Sequence, residues 1–104
     1  MLRAQLLEEG VEVEAYERIE DGLRALIASS PSLLVADLTA SDDPNADIDC
    51  LMKWVTRVPT WIIASRSTQI NAKLEALGVE RAFYRPLDLN ELVSLIRRRV
   101  LSGR

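Results

Sequence analysis

The chain has 104 residues, enough for one domain, and 48% of them are hydrophobic while 28% are charged, which is typical of a soluble globular protein. It contains no histidine and one cysteine, which excludes catalytic or metal-binding histidines, a cysteine cluster and an internal disulfide. The net charge of −3 disfavours direct nucleic-acid binding, because phosphate affinity depends on clustered lysine and arginine.

We expect a cytoplasmic protein with no membrane partner, forming a single domain over residues 1–104. No apolar run approaches the roughly 18 residues that a membrane span requires. Arg3, Glu8 and Glu9 argue against a signal peptide at the start of the chain. The basic run at residues 97–99, with Arg104 beyond it, is interpreted as the cationic last turn of a helix. A partner-contact patch is the alternative.

Helical and strand periodicities alternate along the chain. Helical spacing over residues 2–7 is followed by residues 11–15, where valine or alanine alternates with glutamate and predicts a strand with one solvated face. Helical spacing returns at residues 19–27. The continuous apolar run at residues 33–36 then predicts a strand that is buried on both faces and ends in Asp37.

The second half of the chain repeats this alternation. Its predicted elements are a polar loop at 38–45, helices at 48–55, 70–77 and 89–100, and strands at 61–64 and 79–84. Asp88, with Glu91 three residues later, predicts an N-terminal capping box on the last helix. The order predicts a three-layer α/β fold with four parallel strands and five helices.

Polar side chains follow three of the predicted strands. Because functional groups of open parallel sheets gather at the carboxyl ends of the strands, we expect Asp37, Ser65 and Arg85 to converge. A carboxylate is a nucleophile toward phosphorus, while a hydroxyl and a cation stabilise phosphoryl oxygens. Each residue also has a structural interpretation: Asp37 as a turn residue, Ser65 as a helix cap and Arg85 as a solvated ion-pair partner.

Four segments resemble the receiver domain of two-component response regulators. They are residues 2–16, 31–38, 59–65, and 83–89 with Glu91. The resemblance implies the flavodoxin-like fold and a non-enzymatic role in phosphorelay signal transduction. It further implies that a sensor histidine kinase or another signalling protein is the partner. On the same grounds Asp37 is the phosphoacceptor, and Ser65 and Arg85 contact the phosphoryl group.

The chain departs from that family in several ways. The family's first strand, which ends in two acidic Mg²⁺ ligands, has no counterpart in the sequence. The remaining candidate ligands are Asp37 and the backbone of Thr39, so we expect a poor Mg²⁺ site. Arg85 stands in place of a lysine and Ala82 in place of an aromatic residue. The polar loop after Asp37 also differs from the family's Met-Pro sequence.

The missing strand leaves several structural and functional alternatives open. The chain is a truncated receiver, or residues 11–15 pair directly with residues 33–37, or the exposed edge exchanges a strand with a second copy. We favour a rearranged sheet or a homodimer. The alternative function is that of a pseudo-receiver, an interaction or dimerisation module that works without phosphorylation. A hydrolase using Asp37 is disfavoured because paired acid and base groups are lacking.

Overall fold

The computed structural model describes residues 2–29, 31–39, 41–66 and 68–102. Arg104, which follows the basic run at residues 97–99 in the sequence, lies outside these ranges. The helices are α1 (Leu2–Glu8), α2 (Ile19–Leu26), α3 (Pro44–Leu51), α4 (Thr68–Leu77) and α5 (Leu89–Ser102). The strands are β1 (Leu34–Asp37), β2 (Thr60–Ala64) and β3 (Arg81–Tyr84).

The three strands form one parallel sheet in the order β1-β2-β3. Asp37 pairs with Ile63, and Ala64 pairs with Tyr84, so all three strands end at the same edge of the sheet. The predicted α/β class, with parallel strands and five helices, is therefore confirmed.

The apolar runs in the strands form a core on each face of the sheet. Trp61 and Ile63 pack against α1 and α5, while Ile62 and Ala64 pack against α3 and α4. Every residue of β2 is buried, because this strand lies between two others and between two helical layers. The result is a three-layer structure that holds the ends of the strands in place.

One of the four predicted strands, the one at residues 11–15, is wrong: among the residues that the structure describes, this segment joins no sheet. It does not move over to pair directly with β1. Instead, the Val11 backbone N–H donates to the Leu6 carbonyl at 3.0 Å, and the Val11 side chain is buried in the core beside α5. A strand requires a neighbour about 4.8 Å away, and the described part of the chain offers none to residues 11–15.

The polar loop is shorter than predicted, because α3 begins at Pro44 within the expected loop. The Asp43 side chain accepts a hydrogen bond from the Ala46 backbone N–H at 3.2 Å, and proline at the first helical position suits a helix start. The helix also ends earlier, at Leu51 rather than residue 55, and turns follow it. On α5, Asp88 accepts hydrogen bonds from the N–H groups of Asn90 and Glu91, as an N-cap does. Among the described residues, the Glu91 side chain does not make the second hydrogen bond of the predicted capping box, so only the Asp88 half of that prediction is confirmed.

None of the helices within the described ranges is both long and apolar enough to cross a membrane.

Replacing the cap of α3 is expected to destabilise the protein moderately. Asp43→Ala removes the acceptor for the Ala46 N–H, and loss of such a cap costs about 1 kcal/mol of unfolding free energy. Urea unfolding followed by circular dichroism measures the loss. Asp42→Ala is the matched control, because it removes the same charge from an exposed neighbour that does not cap the helix. Equal losses in both variants would contradict the assignment of Asp43 as the cap.

Candidate functional site

An ion pair joins the ends of the two outer strands. Asp37 is the last residue of β1, and Arg85 follows β3, where its backbone N–H donates to the Ala64 carbonyl at 3.0 Å. The Arg85 side chain reaches across the end of β2, and its Nη2 donates to Asp37 Oδ2 at 2.9 Å. The convergence of these two residues, expected from the order of the strands, is therefore present in the structure.

Thr39 completes this cluster. Its backbone N–H and its hydroxyl donate to Asp37 Oδ1 at 2.9 and 2.6 Å, and Arg85 Nε donates to the same hydroxyl at 3.1 Å. Both carboxylate oxygens of Asp37 thus accept hydrogen bonds. Thr39 was predicted only as a metal ligand through its backbone, and this side-chain role was not foreseen. The available signal was the turn that an aspartate forms with the residue two positions later.

The cluster keeps Asp37 ionised. Partial burial raises the pKa of Asp37, but the hydrogen bonds from the Thr39 hydroxyl, the Thr39 N–H and Arg85 outweigh it. The pKa of this carboxyl therefore lies below its ordinary value. The side chain is still 40% exposed, so that a small reactant can approach it. Asp37 has the charge state and the accessibility that a nucleophilic carboxylate requires.

Ser65 lies at the same edge, directly after β2, and is exposed. Within the part of the chain that the structure describes, its hydroxyl makes no hydrogen bond with Asp37, Thr39 or Arg85. The structure therefore brings together Asp37 and Arg85, and leaves Ser65 near the cluster but outside it. Its role as a phosphoryl contact stays a prediction.

The residues at this edge do not match the requirements of Mg²⁺. The ion prefers several oxygen ligands in octahedral geometry, whereas the Asp37 oxygens are engaged by Thr39 and Arg85. Asp43, an alternative acid from the loop, caps α3 instead. Across the described ranges, no three acidic or cysteine side chains are placed to hold a metal ion. The nearest positive charge to Asp37 is thus a guanidinium.

No protein-family model and no curated protein matches the sequence. Solved structures do match the fold. The receiver domain of NtrX from Brucella abortus has a TM-score of 0.73 and 18% identity, over 97% of this chain and 88% of that chain. A two-component response regulator from Clostridium difficile has a TM-score of 0.76 and 16% identity, over 97% of this chain and 84% of that one.

A third similar structure comes from a streptococcal protein. It is described as one of a novel family of redox sensors that evolved from two-component response regulators. The TM-score is 0.74 and the identity 16%, over 97% of this chain and 45% of that chain. Taken with the parallel sheet and the five helices, these likenesses show that the chain has the flavodoxin-like α/β fold of response-regulator receiver domains.

Proposed function

We propose that the protein is a receiver-like signalling domain of a phosphorelay, in which Asp37 accepts a phosphoryl group from a sensor histidine kinase. The observation that carries this proposal is the Asp37 carboxylate at the carboxyl end of β1, with the Arg85 guanidinium 2.9 Å away. The likeness to receiver domains supports the same role. In this proposal the domain is modified by the reaction and is not itself an enzyme with a substrate of its own.

The chemistry divides the cluster into two parts. The Thr39 N–H and hydroxyl hold Asp37 Oδ1, which leaves Oδ2 to attack phosphorus. A bond forms between Oδ2 and phosphorus while the bond from phosphorus to the donor's histidine nitrogen breaks, and the released nitrogen takes up a proton from solvent. Arg85 transfers its hydrogen bond from Oδ2 to the phosphoryl oxygens and neutralises their charge. Ser65 is the proposed further donor, from the exposed rim.

A second candidate function is a pseudo-receiver that binds partners without being phosphorylated. The observation that favours it is that Thr39 and Arg85 already occupy both Asp37 oxygens. In this case the ion pair has a structural role, tying the ends of β1 and β3 together. The likeness to the streptococcal redox sensors supports this alternative as well, since they are described as having evolved from response regulators.

Reaction with acetyl phosphate distinguishes the two functions. A receiver is expected to gain the mass of one phosphoryl group as acetate leaves, and the adduct should be lost in hydroxylamine, which cleaves acyl phosphates. Asp37→Asn should abolish the gain, whereas Asp43→Asn, which replaces an acid that only caps α3, should retain it. Parallel reactions with and without Mg²⁺ measure the contribution of the ion.

A wild-type protein that gains no more mass than Asp37→Asn would contradict the receiver proposal. Beryllium fluoride, which mimics the phosphoryl group, gives an independent measurement. A shift of the Asp37 and Thr39 NMR resonances supports phosphoryl binding, and unchanged resonances favour the pseudo-receiver.

A further inference from the structure

Two strongly exposed apolar side chains lie at the carboxyl ends of α2 and α3. Ile27 follows α2 and is 77% exposed, and Met52 follows α3 and is 59% exposed. These are the two highest exposures among the large hydrophobic residues that the structure describes. The two helices contact each other on one face of the sheet, and each leads into the amino end of a strand. Ile27 and Met52 are therefore presented at the same end of the molecule.

A tryptophan and an arginine adjoin Met52 in the turns after α3. Trp54 is half-buried, and the Arg57 guanidinium lies 5.4 Å from the centre of its ring. Among the described residues, the indole N–H of Trp61 has an acceptor in Glu80, whereas that of Trp54 has none. A tryptophan with an accessible ring and an unpaired N–H suits a boundary that is apolar on one side and polar on the other.

The surface around these side chains is basic. Residues 22–36 and residues 50–74 contain no aspartate or glutamate, in a chain with 16 acidic residues and a net charge of −3. The nearest acids along the two helices are Asp21 and Asp49, which lie further from the helix ends. Three cations are exposed at these ends, namely Arg24, Lys53 and Arg57. We call the following six residues the helix-end patch: Arg24, Ile27, Met52, Lys53, Trp54 and Arg57.

Acidic residues are concentrated at the opposite end of the sheet. Asp37 ends β1, Asp43 caps α3, and Glu20 and Asp21 lie in the first turn of α2. β1 has four residues, so at about 3.3 Å per residue its two ends lie about 10 Å apart. This separation exceeds the Debye length, which is about 8 Å at physiological ionic strength. An anionic surface at the helix-end patch would therefore meet the cations directly, while its repulsion by the distant carboxylates is screened.

We propose that the helix-end patch binds the surface of an anionic lipid bilayer. The three cations lie against the lipid headgroups, Ile27 and Met52 insert into the boundary of the acyl chains, and the Trp54 ring lies at headgroup level. The contact is reversible, because it has neither a spanning segment nor a lipid anchor. Asp37, at the other end of β1, faces away from the bilayer. The proposal does not depend on the phosphorylation of Asp37.

The shape of the helix-end patch favours a lipid surface over a polypeptide. A bound peptide is usually held in a groove that buries its side chains. Within the described ranges, none of the six residues lines the groove beside β1 or the smaller one on α5. The expectation of no membrane partner rested on the lack of a spanning run and of a signal peptide, and a peripheral contact requires neither.

The test uses vesicles made of equal parts of phosphatidylglycerol and phosphatidylcholine, with vesicles of phosphatidylcholine alone for comparison. We expect the protein to float with the anionic vesicles at least about tenfold more strongly than with the neutral ones. Salt at about 1 M, where the Debye length is about 3 Å, should release most of it. Brominated acyl chains should quench Trp54, and Trp54→Phe should remove that quenching, because Trp61 is buried.

Two pairs of charge reversals separate the helix-end patch from the net charge. Lys53→Glu combined with Arg57→Glu is expected to weaken binding to the anionic vesicles about tenfold or more. Arg18→Glu combined with Arg66→Glu changes the net charge by the same amount, at exposed arginines outside the patch, and should weaken binding much less.

A further pair of substitutions tests insertion without changing any charge. Ile27→Ser combined with Met52→Ser removes the two exposed apolar side chains and should also weaken binding about tenfold. Thermal unfolding of every variant shows whether the protein remains folded, and the exposure of these side chains predicts that it does.

Four results would overturn the proposal. The first is equal flotation of the wild-type protein with anionic and neutral vesicles. The second is an equal loss of binding in the two charge-reversal pairs, which would mean that only the net charge matters. The third is binding without quenching of Trp54, which would place the contact on another face. The fourth is binding of poly-glutamate but not of vesicles, or self-association that Lys53→Glu with Arg57→Glu disrupts, since these would assign the patch to an acidic protein or to a second copy.

Discussion

Trp61→Ala is expected to lower the free energy of unfolding by about 3–5 kcal/mol, the cost typical of truncating a buried tryptophan. Trp61, in the central strand β2, is 1% exposed, and its ring lies 5.4 Å from the Phe83 ring. Its Nε1–H donates to Glu80 Oε2 at 2.6 Å. The substitution therefore opens a cavity between the sheet and α5 and also leaves the Glu80 carboxylate with one donor fewer.

Urea unfolding followed by far-ultraviolet circular dichroism measures this loss without relying on tryptophan fluorescence. Trp54→Ala is the matched control, because Trp54 is half-buried in the turns after α3, beside Arg57. Trp61→Phe keeps an aromatic ring and deletes the hydrogen bond, so it should cost about 1–3 kcal/mol. If Trp54→Ala destabilises the protein as much as Trp61→Ala, the central position of Trp61 in the core is contradicted.

Glu80 links this core residue to the basic run on α5. Arg99 donates from Nε and Nη2 to the Glu80 carboxylate at 2.8 and 2.9 Å. The hydrogen bonds from Arg99 and Trp61 hold the pKa of Glu80 below its ordinary value. Arg97 also has an acidic neighbour, Glu9, at 3.6 Å. Two of the three arginines are thus engaged within the fold, which favours a structural interpretation of the run over a partner-contact patch.

Strong apolar runs made most of the fold predictable. The run at residues 33–36 and the one at residues 61–64 became β1 and β2, because a strand covered on both faces needs continuous hydrophobicity. The alternation at residues 11–15 was equally clear, yet this segment is outside the sheet. Periodicity indicates which side chains prefer burial, whereas strand formation also requires a neighbouring edge, and that depends on distant parts of the chain.

The candidate site was predictable to the extent that strand order determines it. Asp37 and Arg85 meet because both follow the carboxyl ends of parallel strands. The orientation of Ser65 and the hydroxyl role of Thr39 depend on loop conformations, which local sequence determines only weakly. The start of α3 was hard to predict for the same reason. Because the Asp43 side chain caps the helix, α3 begins at Pro44, within the predicted loop.

Arg85→Ala is expected to slow the reaction with acetyl phosphate about 10- to 100-fold, which corresponds to the loss of one charge-assisted hydrogen bond. The phosphoryl group carries more negative charge than the carboxylate, so the guanidinium stabilises the transition state more than the resting Asp37.

The same substitution, Arg85→Ala, should raise the pKa of Asp37 toward its ordinary value, because one of the groups that lower it is removed. A carbon-13 NMR titration of the carboxyl group measures that shift.

Two further variants separate charge from geometry in this prediction. Arg85→Lys keeps the positive charge without the planar fork and should retain part of the rate. Arg66→Ala removes an exposed arginine that lies beside Tyr84 just after Ser65, and should leave both the rate and the Asp37 titration unchanged. A faster reaction in Arg85→Ala than in the wild type would mean that the ion pair blocks Asp37. The Arg85 guanidinium would then have only a structural role, which is to hold the ends of β1 and β3 together. The pseudo-receiver function would in that case account better for the cluster.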